Sequence, residues 1–269
     1  MYATERKHLI QESLVRDRRV VVTDLAQDLG VTTETIRRDL AQLETQGVLQ
    51  RVHGGAIPAG HTSTEEPDLT QRATAHGPEK HRIGQAALKV LGPHFSGSLL
   101  LDAGTTVTAL AQELEKAARG RRNRPSATQN QSVQIVTHAV GPAAALSVLP
   151  GVNLTTLGGR VRGVTGAAVG PTTVNSIMRL RPDVAFVGTN GISAGFGLST
   201  PDPEEAAVKR AIVRAARRVV LLADASKFGV ETLEQFATLE EVDLLITDTT
   251  PSGPLAEALT ESDVEVWTA

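Results

Sequence analysis

The chain has 269 residues, enough for one small and one large domain, and 41% of them are hydrophobic, as is usual for a globular protein. Its formal net charge of −3 does not by itself suggest a nucleic-acid partner, and the lack of cysteine excludes disulfides, thiolate metal sites and cysteine nucleophiles. No apolar stretch is long enough to span a bilayer and the N-terminus has no signal-peptide pattern, so we expect a cytoplasmic protein.

The chain begins with a pattern of short helices and a strand. Residues 5–16 predict a helix, because Ile10 and Leu14 fall on one face. The β-branched run 20–22 predicts a short strand, after which Thr23 is expected to cap a second helix. These elements precede a turn and a third helix, which is the order of a helix-turn-helix.

The third helix is the most informative element of the chain. Its apolar residues recur at i, i+4 and i+7 and predict a single buried stripe: Ile36, Leu40 and Leu43. Thr32 is expected to cap its start, and Gly47 to end it. The residues that then point away from the core carry hydroxyl and guanidinium groups, which grip phosphates and read guanine edges. These candidate DNA-binding residues are Thr33, Thr35, Arg37 and Arg38.

A strand and a glycine-rich tip follow this helix. Residues 48–52 predict the strand, and Gly54 and Gly55 predict a flexible wing tip. Arg51 and His53 flank the tip and are expected to contact the DNA backbone.

Ordinary ion pairs are the alternative for two of these arginines. Glu34 lies four residues before Arg38 on the predicted helix, and Arg51 has acidic residues in the same domain with which to pair. Residues 1–57 hold eight Lys or Arg and eight Asp or Glu, so a DNA contact depends on where the positive charges lie. A small neutral domain binds DNA weakly alone, and we expect a homo-oligomer, a dimer or a tetramer.

Residues 5–56 resemble the winged helix-turn-helix of DeoR-type transcriptional repressors. The resemblance lies in the segment Thr-Ile-Arg-Arg-Asp-Leu from Thr35 and in the segment Arg-Val-His-Gly-Gly-Ala from Arg51. It implies that double-stranded operator DNA is a partner of this chain.

The remaining sequence predicts a linker and a larger α/β domain. We expect a winged domain at 1–57, a linker at 58–78 rich in Pro, Gly, Thr and Ser at its start, and an effector-binding domain at 79–269. A helix is predicted at 79–91. Short apolar strands then alternate with helices, which indicates a mainly parallel sheet covered on both faces. The strands are predicted at 98–101, 133–137, 153–157, 184–188, 219–222, 244–247 and 264–267, and the helices at 106–116, 142–149, 172–180, 204–217 and 255–260.

Residues 117–132 interrupt this alternation with four arginines and a polar Thr-Gln-Asn-Gln run. The arginines are Arg119, Arg121, Arg122 and Arg124. Such low hydrophobicity favours a solvated insertion in a loop, and an auxiliary contact with DNA or a partner is the alternative.

The first predicted strand of the larger domain ends in Asp102-Ala-Gly-Thr-Thr. A helix starts directly after this turn, so backbone N–H groups and two hydroxyls converge in a way that suits a phosphate. The alternative is a tight turn capped by Thr105 or Thr106. In a parallel sheet ligands bind at the carboxyl ends of the strands, where several further polar segments are expected. They contain His138, Gly158, Gly159, Arg160, the segment 188–191 and Lys227.

Residues 79–248 resemble the effector domain of the DeoR family in the segments Asp-Ala-Gly-Thr-Thr, Leu-Gly-Gly-Arg, Phe-Val-Gly-Thr-Asn-Gly, Val-Lys-Arg and Ser-Lys-Phe-Gly. The resemblance implies a fold similar to ribose-5-phosphate isomerase and glucosamine-6-phosphate deaminase, and a phosphorylated sugar as the effector. It also implies roles for individual residues. Gly104, Thr105 and Thr106 would hold the phosphate with help from Lys227, and Asp102 would accept hydrogen bonds from sugar hydroxyls.

Four further effector-site residues come from the same resemblance, and each has an alternative or a departure. His138 stands where the family usually has asparagine, so sugar selectivity is expected to differ. Instead of binding the effector, Gly159 could simply allow a turn, and Arg160 could be a surface charge. Lys209 is a weaker candidate, because Glu205 four residues earlier offers it a helix salt bridge.

We therefore expect an α/β protein that is a transcriptional repressor of sugar uptake or catabolism genes, with an operator affinity modulated by a hexose or fructose phosphate. The alternatives are a sugar-phosphate isomerase or deaminase with a fused DNA-binding domain, and a DNA-binding protein without a ligand. An isomerase requires a positioned general base, and Asp102 or Asp224 could supply it. Their alternatives are an acceptor for sugar hydroxyls and a turn residue, respectively. No cofactor is expected, and the scattered histidines do not predict a metal site.

Overall fold

The computed structural model describes residues 2–17, 20–52, 54–59, 63–92, 95–121, 133–149 and 152–269. The chain divides into two compact units, Met1–Glu65 and Glu66–Ala269. The segment 58–78 that was expected to be a linker therefore contributes residues to the second unit, where it forms a short helix, Leu69–Thr74. No helix in the described part of the chain is long and apolar enough to cross a membrane.

The first unit is a three-helix domain with a three-stranded antiparallel sheet in the order β1-β3-β2. Among the described residues of this unit, eleven buried apolar side chains form the core, including those of Ile10, Ile36 and Leu49. Its elements are α1 (Ala3–Asp17), β1 (Val20–Val21), α2 (Val22–Asp28), α3 (Thr33–Thr45), β2 (Leu49–Val52) and β3 (Gly55–Pro58).

Two details of this unit depend on close packing. Gly55 pairs with Val21, and a Cβ at Gly55 would lie 1.9 Å from the carbonyl oxygen of Val20, so only glycine fits at this position. The expected Thr23 cap is wrong. Helix α2 begins at Val22, which is buried in the core, so the cap position falls on Val21, two residues before Thr23, and Val21 makes no side-chain cap hydrogen bond.

The second unit is built on a seven-stranded parallel sheet in the order β15-β14-β12-β9-β4-β5-β6. The predicted fold class, a winged helix-turn-helix domain followed by an α/β domain with a mainly parallel sheet, is confirmed. The elements of the unit are α4 (Leu69–Thr74), α5 (Gly77–Val90), β4 (Ser98–Leu101), α6 (Thr105–Arg121), β5 (Gln134–Thr137), α7 (Val140–Ser147), β6 (Asn153–Thr156), β7 (Arg160–Arg162), β8 (Ala167–Val169), α8 (Pro171–Ile177), β9 (Val184–Gly188), β10 (Gly191–Ser193), β11 (Gly197–Thr200), α9 (Pro203–Ala215), β12 (Val219–Leu222), β13 (Glu234–Ala237), β14 (Leu244–Thr247), α10 (Gly253–Glu261) and β15 (Glu265–Thr268).

Two hydrophobic cores cover the two faces of this sheet, because successive side chains of a strand point to opposite faces. Leu99 and Leu101 of β4 pack in the core that contains α5, α6 and α7, which we call the α5/α6 face. Leu100 of β4 packs in the core that contains α8, α9 and α10, which we call the α9 face. The same alternation decides on which face each polar residue at the strand ends lies.

Two smaller strand groups were not predicted. β7 and β8 form an antiparallel hairpin, and β10, β11 and β13 form a three-stranded sheet. These strands have three or four residues each, and glycines begin β10 and β11. Unlike the equally short central strands, most of them are not continuous apolar runs, so the sequence pattern does not mark them as strands.

Candidate functional site

Helix α3 has the cap and the two faces that its sequence predicted. The Thr32 hydroxyl accepts a hydrogen bond from the backbone N–H of Thr35 at 3.2 Å. The stripe of Ile36, Leu40 and Leu43 is buried, with at most 1% of each residue exposed. The helix is further held by Asp39, which is buried and accepts hydrogen bonds from Arg6 of α1 at 2.5 and 3.2 Å.

The candidate DNA-binding residues of α3 lie on its outer surface. Thr33 and Thr35 are half-buried, and Arg37 and Arg38 are exposed. The expected competing pair between Glu34 and Arg38 is replaced by a pair of Glu34 with Arg37, whose atoms Oε2 and Nη1 are 3.8 Å apart. Both side chains of that pair are more than 60% exposed, so water screens the attraction and the arginine remains available to a stronger anion.

The wing arginine has a partner in the structure. Glu44 accepts hydrogen bonds from the backbone N–H of Arg51 at 2.9 Å and from its Nε at 2.7 Å. The hydrogen bond from the backbone N–H is the main reason why the pKa of Glu44 is lowered, and the side-chain bond adds to it. The ion pair that sequence analysis held as the alternative for Arg51 is therefore present. His53 lies outside the described residues.

A charged network is buried on the α9 face, at the carboxyl ends of β4, β5 and β9. Asp102 has no exposed surface, and its Oδ2 accepts hydrogen bonds from Lys209 Nζ at 2.5 Å and from the backbone N–H of Gly188 at 3.0 Å. Its Oδ1 lies 3.1 Å from His138 Nε2. Lys209 also donates to the carbonyl of Gly188 at 2.9 Å and lies over the ring of Phe236. The network thus ties three strand ends and helix α9 together.

The charge of Asp102 is stabilised by its partners. Burial alone raises the pKa of a carboxyl group, but the positive charge of Lys209 and the hydrogen bond from His138 outweigh it and lower the pKa of Asp102 to about 2. The other nitrogen of His138, Nδ1, lies 2.8 Å from the carbonyl oxygen of Ala168. Both ring nitrogens of His138 therefore lie at hydrogen-bond distance from oxygen atoms.

A second group of polar residues occupies the carboxyl ends on the α5/α6 face. Gly104 has a φ of 123°, a conformation that favours glycine, and its carbonyl accepts the first intrahelical bond of α6 from Thr108. The N–H groups of the first turn of α6, which starts at Thr105, have no acceptor within the helix. Thr105 is half-buried and Thr106 is buried. The strand, turn and helix start that sequence analysis took as a phosphate cradle are thus present.

Asp224 follows the end of β12 on the same face, and the charges of Lys227 and of Lys80 in α5 act on it. Asp224 is buried, and its Oδ1 accepts hydrogen bonds from the N–H and hydroxyl of Ser226. Burial raises the pKa of Asp224, but the positive charges of Lys227 and Lys80 contribute to a net lowering. Lys80, near the start of α5, is buried and donates to the carbonyls of Arg72 and Ala75, and burial lowers its pKa to about 8.

Two family models match the chain. The DeoR-like helix-turn-helix domain matches residues 6–61, and the DeoR C terminal sensor domain matches residues 75–249, more than half of the chain. The chain belongs to the DeoR family of transcriptional regulators. The family expected from the sequence motifs is therefore confirmed.

Curated DeoR-type relatives match nearly the whole chain. The HTH-type transcriptional regulator GlpR of Haloferax volcanii is 34% identical over 99% of this chain and 98% of its own length. The HTH-type transcriptional repressor GlcR of Bacillus subtilis is 32% identical over 99% and 96%, and the glycerol-3-phosphate regulon repressor of Escherichia coli is 30% identical over 99% of both chains. The prediction of a DNA-binding regulator rather than an enzyme is confirmed by these relatives.

Solved structures that match parts of this chain are more distant. Ribose 5-phosphate isomerase A from Methanocaldococcus jannaschii matches 57% of this chain and 55% of its own, with 16% identity and a TM-score of 0.40. The sorbitol operon regulator SorC from Klebsiella pneumoniae matches 81% of this chain and 88% of its own, with 15% identity and a TM-score of 0.30.

Within the DeoR sensor domain, three of the expected effector-site residues have other contacts. Asp102 is fully buried with both oxygens occupied, so it positions Lys209 and His138 instead of offering a free carboxylate to a sugar. The expected pair of Lys209 with Glu205 is replaced, because Lys209 reaches inward to Asp102. Arg160 is exposed and pairs with Glu204, which matches its alternative as a surface charge.

Gly159 has a packing reason for being glycine. A Cβ at this position would lie 2.1 Å from Thr173 Oγ1 and 2.8 Å from the carbonyl oxygen of Val169. The close approach of the chain to α8 therefore accounts for this glycine, whereas nothing lies within 4 Å of a Cβ built on Gly158.

Sequence analysis missed an ion-pair cluster centred on Arg162. This half-buried arginine contacts Glu66 at 3.0 Å, Asp202 at 3.3 Å and Glu205 at 2.6 Å. Its partners are up to 96 residues away in sequence, and no local spacing indicates them. The described residues contain no group of three or more His, Cys, Asp or Glu that could hold a metal ion.

Proposed function

We propose that this protein represses genes for sugar uptake or catabolism and that a phosphorylated sugar modulates its affinity for operator DNA. The observation that carries the proposal is that one DeoR-family chain has an exposed helix face with two arginines and, at the carboxyl edge of its parallel sheet, a helix start after β4 and a lysine after β12. The names of the relatives agree with it, since they include a glycerol-3-phosphate regulon repressor and a regulator named FruR.

For DNA binding, we propose that α3 enters the major groove. Arg37 and Arg38 would fork onto guanine edges or phosphates, while Thr33 and Thr35 donate from the first turn of the helix. Arg51 would exchange its contact with Glu44 for a backbone phosphate, which costs little because both side chains are more than a third exposed. His53 is proposed as a second wing contact.

For the effector, we propose that the phosphate binds at the first turn of α6. Gly104, Thr105 and Thr106 would supply N–H groups and hydroxyls, and Lys227 would neutralise part of the charge. His138 and Lys209 belong to this proposal indirectly, because they and Asp102 fix the strand ends beside the turn.

The regulatory part of the proposal requires that the effector bind the DNA-bound and released states with different affinities. A homo-oligomer, dimer or tetramer, would provide the operator affinity that a single winged domain with equal numbers of acidic and basic residues lacks. We further propose a cytoplasmic location, where the protein has access to both DNA and phosphorylated sugars.

Calorimetry with phosphorylated and free sugars tests the effector class. We expect glucose 6-phosphate, fructose 6-phosphate, fructose 1-phosphate or glycerol 3-phosphate to bind, and the corresponding free sugars and glycerol to bind at least tenfold more weakly. A ligand at a hundred times its Kd should raise the free energy of unfolding by about 2.7 kcal/mol. Equal binding of neutral and phosphorylated compounds would refute a phosphate site.

A further inference from the structure

We propose that Arg6 of α1 is a positioning residue for operator recognition, and that its buried ion pair with Asp39 sets the rotation of α3 about its own axis. Arg6 itself makes no DNA contact in this proposal. The inference rests on the proposed function, because it takes α3 to present Arg37 and Arg38 to the operator. It adds a residue outside α3 that decides whether these two side chains reach the base edges.

The first argument is the geometry of the pair. Nε of Arg6 donates to Oδ2 of Asp39 at 2.5 Å, and Nη2 donates to Oδ1 at 3.2 Å. A guanidinium group that binds both oxygens of a carboxylate fixes direction as well as distance. Arg6 lies in the first turn of α1 and Asp39 in the middle of α3, so the pair holds these two helices in one relative position.

The second argument is that the other buried residues of α3 contribute little directionality. They are Ile36, Leu40 and Leu43, which pack in the hydrophobic core. The hydrophobic effect that buries them is non-directional. The hydrogen bonds of Glu44 with Arg51 are directional, but they lie near the end of α3, and both side chains are more than a third exposed. The buried ion pair is therefore the contact best placed to orient the helix.

The required precision shows why orientation matters. The surface of a helix lies about 5–6 Å from its axis, so a rotation of about 20° moves a side chain by about 2 Å. A hydrogen bond to a base edge tolerates a change of only about half an ångström. A small rotation of α3 would thus remove base contacts while the apolar core stayed buried.

The third argument is charge and burial. The side chain of Arg6 is 10% exposed and that of Asp39 is 5% exposed, so both charges are shielded from solvent and compensate each other. Asp39 directly follows Arg37 and Arg38 in the sequence. An uncompensated carboxylate at this position would repel the phosphates that the two arginines attract. Arg6 therefore affects both the orientation and the charge of α3.

Arg6→Met combined with Asp39→Leu separates positioning from stability. The double variant removes both charges and puts apolar side chains in their place. Replacing a buried ion pair by apolar residues is often neutral or stabilising, whereas removing one partner is destabilising. We therefore expect Arg6→Met alone to destabilise the first unit and the double variant to recover this stability. A role in stability alone predicts that operator recognition recovers as well, and a positioning role predicts that it does not.

Glu12→Gln is the matched control on the same helix. Glu12 pairs with His8 at 3.3 Å within α1, and both side chains are more than half exposed. An exposed pair within one helix does not orient another helix, so this variant should keep the stability and the operator recognition of the wild type.

The experiment is an anisotropy titration of the full-length wild type and each variant with two duplexes at one ionic strength. One is an operator selected from a random duplex library with the wild type, and the other has the same composition in scrambled order. The preference is the ratio of the two Kd values. Hydrogen exchange of peptides from α1 and α3 reports the stability of the first unit. We expect the double variant to recover protection but to lose about tenfold or more of the preference, as for the loss of one arginine–base contact.

The outcomes separate this inference from the proposed function. A protected double variant that keeps the wild-type preference overturns the positioning role of Arg6 alone. Arg37→Ala and Arg38→Ala, titrated with the same duplexes, test the proposed face of α3. If neither variant loses preference, or if the wild type prefers no selected duplex, the proposed function is wrong and this inference falls with it.

Arg6→Lys decides if the double variant does not fold, as judged by circular dichroism. A lysine keeps the positive charge but lacks the planar fork that binds both carboxylate oxygens. We expect Arg6→Lys to lose about threefold or more of the preference at wild-type protection of α1 and α3. An unchanged preference in this variant would overturn the positioning role.

Discussion

The buried network of Asp102, Lys209 and His138 makes a quantitative prediction for Asp102→Asn. The variant removes the negative charge that compensates Lys209 in the protein interior, and leaving one partner of a buried ion pair unpaired costs about 3–5 kcal/mol. The pKa gives a second measure. The pKa of Asp102 falls from 3.8 to about 2, and at about 1.36 kcal/mol per pKa unit the charged form alone is stabilised by about 2 kcal/mol. We therefore expect the second unit to lose about 2–5 kcal/mol at neutral pH.

The pH dependence of this loss has a defined sign. Because the folded-state pKa of Asp102 is lowered, its contribution to stability is complete above pH 3.8 and disappears as the pH falls towards 2. The difference in unfolding free energy between wild type and Asp102→Asn should narrow across that window. Urea unfolding followed by the fluorescence of Trp267, the single tryptophan of the chain, reports on the second unit, because this residue lies in β15. Lys209→Met in the Asp102→Asn background should recover part of the stability. A loss below 1 kcal/mol, or a difference that does not change between pH 4 and 2, would refute the buried ion pair.

Three further predictions concern α3, α5 and the β6–β7 turn. Arg37→Ala and Arg38→Ala should each weaken operator binding by about 1–3 kcal/mol if the arginine reads a base, and unchanged affinity of both folded variants in anisotropy titrations would argue against the DNA-binding face. Burial lowers the pKa of Lys80 from 10.5 to about 8, so between these two pH values the unfolded chain binds more protons than the folded chain. The unfolding free energy of the wild type relative to Lys80→Met should therefore rise by up to about 3 kcal/mol between pH 8 and 10.5. A difference that does not change with pH would contradict the lowered pKa. Gly159→Ala should lower the free energy of unfolding by about 1–3 kcal/mol through its clash with α8, and so lower the melting temperature, whereas Gly158→Ala should be nearly neutral. Equal melting temperatures for the two variants would contradict the packing.

The sequence was most informative where a single period decides the structure. The stripe of Ile36, Leu40 and Leu43 predicted α3 and its exposed face, because a helix with one buried side requires that spacing. The central strands were equally clear, since parallel strands buried on both faces appear as short apolar runs. The turn from Asp102 to Thr106 was located because a strand, a glycine and a helix start follow one another directly.

Side-chain partners were much less predictable. Lys209 has an acidic residue at i−4 and was expected to pair with it. Instead it forms a buried ion pair with Asp102, which is 107 residues away in sequence. Arg51 and Glu44 are seven residues apart and meet only because β2 folds back beside the end of α3. A local spacing rule cannot rank a neighbour on the same helix against a residue that the fold brings close.

The central claim is that one DeoR-family chain couples a phosphorylated sugar to operator binding, and operator titration of effector-site variants tests it most directly. The operator would be selected from a random duplex library with the wild type, and its affinity measured with and without each sugar phosphate at saturation. We predict that at least one phosphate changes the wild-type affinity about 5- to 150-fold, and that Lys227→Ala and Thr105→Val bind the operator like the wild type but lose this response. An unchanged wild-type affinity at saturating phosphate, or variants that keep the full response, would contradict the account.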